Sequence, residues 1–296
     1  MTKVLERAGD VAIGSVETIP TDLHGHTKLS DGRAEAEEYV AFRAGLGMKV
    51  IAVSDHDTFA AVPRAAEAAK QLDVTLVPAM EVTSFIHFGT PRAEQIHILA
   101  YFPPGRALDG SLGETALGAR AVRVSRKWRE LCLEWLTSLP VEHRYYLDPD
   151  NALAELRGTE FPQLQDFLNL VFDRNRGVYE EFIRYHVRFW EADRELFGWT
   201  PEEAIECIRG DGALDVVAHP NRVRDKARMD RVVEQVSGIE VYTSRHRADV
   251  AAGFRERAVA TNKHWTASSD DHGHVTYVRP PDGTPKRTVE RILAGR

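Results

Sequence analysis

Cysteine is nearly absent from this chain: Cys132 and Cys207 are the only two in 296 residues. They lie far apart in helix-like sequence, which excludes a disulfide framework and reads as two reduced core residues of a cytoplasmic protein. Long apolar runs are missing too. No stretch approaches the ~18 residues that span a bilayer. The opening MTKVLERAGD lacks the apolar centre of a secretory signal. There is no excess of positive charge either. A formal net charge of −7 argues against a long nucleic-acid duplex or an anionic membrane as partner, and still allows a local basic pocket. No internal repeat and no low-complexity segment is visible, and nothing points to a particular oligomeric state.

What the chain does have is histidine and carboxylate in a repeated position. Residues 22–32 read DLHGHTKLSDG, with His24 and His26 two apart after an apolar stretch that ends in Leu23. Side chains two apart on a strand share a face, so both imidazoles can reach one ion. The loop that follows brings Asp31 back, with Gly32 as its turn residue. Taken alone, such a pair is more often ordinary surface polarity; repetition along the chain decides otherwise.

Residues 16–23 read as a first strand and 34–46 as a helix. The compact run Val50–Val53 reads as a buried parallel strand ending in Ser54-Asp55-His56-Asp57. A helix over 60–72 follows, then a run over 74–80 that ends in Glu81, and another over 96–101 with His97 inside it. After Pro103-Pro104-Gly105 the alternation stops. Residues 115–139 read as one long amphipathic helix whose arginines form a solvated face. Residues 177–197 read as a second helical stretch, its aromatics packed into a core. The pattern resumes with a helix from Thr200, a strand over 214–218 ending in His219, a strand over 238–242, and a helix over 248–262 leading to Ser268–Gly273. An extended piece and a Pro-rich loop from 274, then a short helix over 287–294, close the chain.

Strands alternating with helices argue for parallel βαβ units, and polar residues at strand ends are what a barrel site uses. The expected organisation is α/β, with barrel elements over 1–105 and 200–296 and a helical insertion over 106–199 placed to cover the strand ends. Collected in order, the strand-end residues are His24, His26, Asp31, His56, Glu81, His97, His219, Asp270 and His272. These exceed the needs of one ion. Imidazole with carboxylate suits zinc, manganese or iron, and no thiolate demands zinc. Metal ions that share a carboxylate can activate a water and stabilise a phosphoryl group in transfer.

The stretches DLHGHTKLSDG at 22–32, SDHD at 54–57, ME at 80–81, IHILAYF at 96–102, AHPNR at 218–222, GIEVY at 238–242 and SSDDHG at 268–273 together resemble the PHP superfamily, the polymerase and histidinol phosphatase domains. Within it the chain is most similar to the branch of small nucleotide phosphatases and oligonucleotide-trimming enzymes. The resemblance implies a distorted (β/α)7 barrel with a helical insertion between the fourth and fifth barrel strands. It implies up to three divalent or trivalent metal ions (Mn, Fe or Zn). It divides the ligands into His24, His26, Glu81 and Asp270 for one ion, Asp31, His56 and His219 for a second, and Glu81, His97 and His272 for a third, with Glu81 bridging. Asp270 is preferred to Asp271 on the Asp-x-His spacing.

The activity so implied is metal-dependent hydrolysis of phosphate monoesters in the cytoplasm. A metal-bound hydroxide held by Glu81, Asp270, His24 and His26 would attack phosphorus. The expected partner is a small phosphorylated substrate: a nucleotide such as a nucleoside 3′,5′-bisphosphate, or the 5′ end of a short oligonucleotide. Arg222 and His246 are the candidates for phosphate contact, against a loop salt bridge and a surface histidine. Asp22, Asp55 and Asp57 are expected to orient ligand imidazoles. The remaining histidines, 87, 143, 186, 264 and 274, read as satisfied or solvent-facing. Two alternatives stand beside this reading: a phosphatase for a non-nucleotide such as histidinol phosphate, and a non-catalytic metal-binding regulatory module.

Overall fold

The computed structural model describes residues 16–107, 109–158, 160–273 and 283–295. The expected extended piece and Pro-rich loop after 273, and His274, lie outside them. The expected first strand divides at Pro20 into β1 (Thr18–Ile19) and β2 (Thr21–Asp22), because proline fixes φ and cannot donate to a ladder. Helix α1 (Ala36–Gly45) opens with a capping box between Glu35 and Glu38. Then come β3 (Val50–Val53), α2 (Val62–Gln71), β4 (Thr75–Ile86) and β5 (Glu94–Tyr101).

Two expectations fail at this point. β4 does not stop at Glu81; it continues to Ile86 and leaves Glu81 in mid-strand. β5 is antiparallel to both neighbours, pairing Thr83 with His97 on one side and Ile98 with Val217 on the other. The cause is the short link over 87–93, too short for the helical crossover that parallel neighbours need. Reversal has a useful result. His97 lies early in β5, which is the end of the sheet where the parallel strands finish.

After β5, α3 (Ala116–Ser138) forms much as expected, capped by the Thr115 side chain accepting from Gly118 N. The expected second stretch is broken into α6 (Arg176–Tyr185), α7 (Val187–Ala192) and α8 (Arg194–Phe197), preceded by α4 (Val141–Leu147) and α5 (Leu164–Arg174). Asp193 makes the last break by accepting from Leu196 N as a new cap. Apolar residues through Ala121 pack with the barrel, whereas those from Val124 to Phe197 form a separate cluster rich in Trp and Phe. Not every arginine of α3 is solvated: Arg120 is buried against Asp57, and Arg129 donates to Leu156 O at 2.6 Å.

The alternation resumes with α9 (Pro201–Gly210), β6 (Leu214–Val217), α10 (Lys226–Gln235), β7 (Gly238–Tyr242), α11 (Ala248–Ala260), β8 (His264–Ala267), β9 (Thr284–Pro285) and α12 (Lys286–Ala294). The large sheet has seven strands in the order β2-β3-β4-β5-β6-β7-β8. It is nearly closed into a barrel. Past the ends of β2 and β8 the chain pairs again: Asp270 N donates to His24 O at 2.9 Å and His26 N to Asp271 O at 3.0 Å. Closure therefore happens at the level of the candidate ligands. Gly25 is required there, since a Cβ would lie 2.3 Å from the Tyr39 hydroxyl. Among the described residues no helix is long and apolar enough to cross a membrane.

Candidate metal centre

Glu81 stands at the middle of the site, fully buried. Its Oε2 lies 3.3 Å from both His24 Nε2 and His26 Nε2 and 3.1 Å from His56 Nδ1. Its Oε1 lies 2.8 Å from His97 Nδ1 and 3.0 Å from His219 Nε2. Asp270 Oδ1 faces His24 and His26 at 3.6 and 3.4 Å. Asp31 Oδ2 faces His272 Nε2 at 3.1 Å and His56 Nε2 at 3.6 Å. All nine residues collected from strand ends thus meet in one place.

Within the cluster the nine residues form overlapping groups. His272 lies with His26, Asp31 and His56, and His219 lies within reach of His24 and Asp270 and beside Glu81 Oε1. The cause is strand order. β6 lies beside the reversed β5, which puts His219 next to His97, with ring centroids 5.4 Å apart. The chain after β8 closes onto the loop after β2, which puts His272 next to Asp31 and against His26, at 4.3 Å between centroids.

These groups have the chemistry of a cation site. His24 Nε2, His26 Nε2, Asp31 Oδ1 and Glu81 Oε2 are buried without a hydrogen-bond partner among the described residues. Buried polar atoms left so are costly, about 1–3 kcal/mol each, and four converging on one centre fit metal ions. Burial would lift the Glu81 carboxyl, but His97, His56 and His24 hold it well below the usual carboxylate range. Burial opposes charge on His24, yet Glu81, Glu240 and Asp270 raise it well above the ordinary imidazole value. Burial, joined by His272, pushes His26 down to about 4. The carboxylates are therefore ionised and at least one imidazole neutral, the states that bind cations. Two of the nine pay in backbone strain. His219 has φ 29° and Asp270 φ 52°, both in the left-handed region, at about 1–3 kcal/mol each. His219 N is held there by Glu240 Oε2 at 2.6 Å.

Glu240 is the residue that sequence reading missed. Its Oε1 accepts from His24 Nδ1 at 2.8 Å, which turns His24 Nε2 to the centre. Its signal was present: a carboxylate inside the apolar run GIEVY, where a strand buried on both faces has no reason to carry one. The expected orienting residues make no direct bond to a ligand imidazole, though Asp55 reaches His26 through Ser30 Oγ, which lies 3.4 Å from His26 Nδ1. Asp22 accepts from Arg43 Nε and Ser269 N. Asp55 accepts from Thr27 N and Ser30 Oγ, and Asp57 from Thr83 N and Arg120.

A cavity of about 530 Å³ opens over the cluster. Arg222 lines it as expected; His246 does not. The His246 ring stacks on Phe254 at 5.2 Å and its Nδ1 donates to Val241 O at 2.9 Å. The turn after β7 directs the preceding residue inward instead: Arg245 lines the cavity and bonds Asp270 Oδ2 at 2.5 Å. His186, read as peripheral, also lines the cavity.

Residues 22–286 match the PHP domain family. The chain belongs to that family. As a PHP protein it is a metal-dependent phosphoesterase, a hydrolase of phosphoester bonds. It is 27% identical over 256 residues to a phosphoribosyl 1,2-cyclic phosphate 1,2-diphosphodiesterase of Eggerthella lenta, covering 85% of this chain and 94% of that one. It is 36% identical over 202 residues to a 5′-3′ exoribonuclease of Haemophilus influenzae, covering 68% and 69%. It is 23% identical over 268 residues to a 3′,5′-nucleoside bisphosphate phosphatase of Chromobacterium violaceum, covering 85% and 86%. The fold also matches a solved structure from Bifidobacterium adolescentis, provisionally named a metal-dependent phosphoesterase, at TM-score 0.64 and 21% identity over 95% of this chain and 98% of that one.

Proposed function

We infer that this PHP protein removes phosphate from nucleotides, such as nucleoside 3′,5′-bisphosphates, or from the 5′ ends of short oligonucleotides. The observation that carries the reading is the division of the cavity wall. Arg33, Arg222 and Arg245 line it from barrel loops, and Gln165 and Asn169 line it from α5. A guanidinium grips phosphate oxygens with a fork of donors. A carboxamide offers a donor and an acceptor together, which suits a base edge or a sugar hydroxyl. The relatives named above act on a ribose-phosphate diester, a ribonucleic acid and a nucleoside bisphosphate, substrates with the same two parts. Histidinol phosphate fits less well. Among the described residues, Asp57 is the one carboxylate beyond the cluster that lines the cavity, and Arg120 already pairs it, so an ammonium group meets a carboxylate that is taken.

His24, His26, Glu81 and Asp270 would hold one ion, Asp31, His56 and His272 a second, and Glu81, His97 and His219 a third. Bound there, manganese, iron or zinc supplies Lewis acidity and a water activated for attack on phosphorus. The chain's own work is positional. Glu240 fixes the His24 tautomer by taking the Nδ1 proton. Arg222 and Arg33 orient the phosphate, and Leu164, Leu168 and Trp190 narrow the mouth against water. The test is phosphate release by manganese-loaded protein from nucleoside monophosphates, 3′,5′-bisphosphates, short 5′-phosphorylated oligonucleotides and histidinol phosphate, with His24→Ala alongside. Release from a nucleotide class that disappears in the control is expected, with Arg222→Ala raising KM roughly tenfold. Release from histidinol phosphate alone would overturn the nucleotide reading.

A further inference from the structure

Helix α5 carries a stripe that begins in the cavity and leaves it. Gln165 and Asn169 line the cavity. Phe172 follows on the same face, because steps of four and then three residues return to one side of an α-helix. From Gln165 to Phe172 the stripe rises about 10 Å. Phe172 is 43% exposed, although it belongs to an aromatic segment whose other phenylalanines include the buried Phe167, Phe182 and Phe189. It is not an isolated apolar residue. The Arg176 guanidinium lies 5.4 Å from its ring centre, and Tyr179 of α6 meets it edge-on at 5.0 Å. An exposed ring with an arginine plane beside it is what a base stacks on. Asp173, exposed one residue further round the helix from Phe172, repels phosphate from that flank, which leaves the Arg176 side to a nucleic-acid backbone.

We propose that this stripe carries the second nucleotide of a single-stranded, 5′-phosphorylated oligonucleotide. Gln165 and Asn169 contact the first nucleoside, and Phe172 with Arg176 stacks the base that follows. The inference rests on the nucleotide reading of the cavity and goes beyond it by separating oligomer from monomer substrates with named residues.

The test sets a 5′-phosphorylated adenosine trinucleotide against adenosine 3′,5′-bisphosphate on the metal-loaded protein. Phe172→Ala is expected to raise KM for the trinucleotide roughly five- to tenfold, with no change for the bisphosphate, and Phe172→Trp to restore it. Equal shifts on both substrates, or none on either, would reject the stripe. Anisotropy of a 3′-labelled trinucleotide with a non-hydrolysable 5′-phosphorothioate gives a second measure that needs no turnover. Unchanged binding by Phe172→Ala would reject the stripe even if no nucleotide were hydrolysed, whereas tight, Phe172-dependent binding without hydrolysis would reject only the assigned activity. A variant that altered the oligomeric state and not the anisotropy would make Phe172 a protein contact and overturn the proposal.

Discussion

The barrel and the helical segment after β5 bury their interiors differently. The barrel's clusters are built of Val, Ile, Leu and Ala, and between them lie His24, His26, Asp22, Asp55, Glu81 and Glu240, each at most 1% exposed. The helical cluster is built on Trp128, Trp135, Phe161, Phe167, Phe182 and Phe189. Its buried polar residues from 124 onward are Ser125 and Gln163, which bond each other at 2.9 Å. A charged group survives burial only where partners are held in fixed positions. A nearly closed sheet, with both neighbours of its inner strands specified, can hold them. Short helices packed on interdigitating rings can shape a wall, but they do not fix partners as tightly.

This contrast can be broken most directly at Glu81. Glu81→Ala should abolish phosphate release, since one carboxylate serves five imidazoles; retention of turnover with unchanged metal content, read by elemental analysis, would remove the centre of the site. Next in size is Phe182→Ala. Emptying that fully buried position should destabilise the helical segment by about 3–5 kcal/mol while leaving metal content intact. Equal loss of barrel protection in hydrogen exchange would show the two interiors to be one unit. Glu240→Gln should follow, lowering metal affinity by roughly 10- to 100-fold with little change in melting temperature. A fall in melting temperature without a fall in affinity would make Glu240 a packing residue.

The smallest effect is expected where the two regions face each other. Burial, with Asp31 and Asp55 nearby, lifts the Asp166 carboxyl to about 7. A raised acid favours its protonated form in the folded state, so its cost is absent below about pH 4, grows between pH 4 and 7, and is fully present above that. Asp166→Asn should therefore be neutral at pH 4 and stabilising at pH 8, and thermal melts across that range would show it. A flat difference would place Asp166 away from the acidic loops.

Much of the barrel was legible because its signals are short-ranged. The runs Val50–Val53 and Leu214–Val217 announce buried strands, and Thr200-Pro201 with Glu203 announces a helix start. His-x-His shows two imidazoles on one face whatever surrounds them. Glu81 escaped as a mid-strand residue because an apolar run followed by polar residues resembles a strand end. His246, read as a candidate for phosphate contact, does not line the cavity, because a turn's direction is not a property of neighbouring residue types. Arg245 was the one turned inward.

Histidines and carboxylates clustered at one end of an α/β sheet, and a helical middle of the chain, were both legible before any fold was known. Both follow from residue type and local period. Which ligands meet depends on long-range strand pairing. The reversal of β5 brings His97 beside His219, and the closure of residues 24–26 on 270–271 brings His272 to Asp31. Those pairings join positions far apart along the chain, and local pattern carries no record of which strands will become neighbours or in which direction they run.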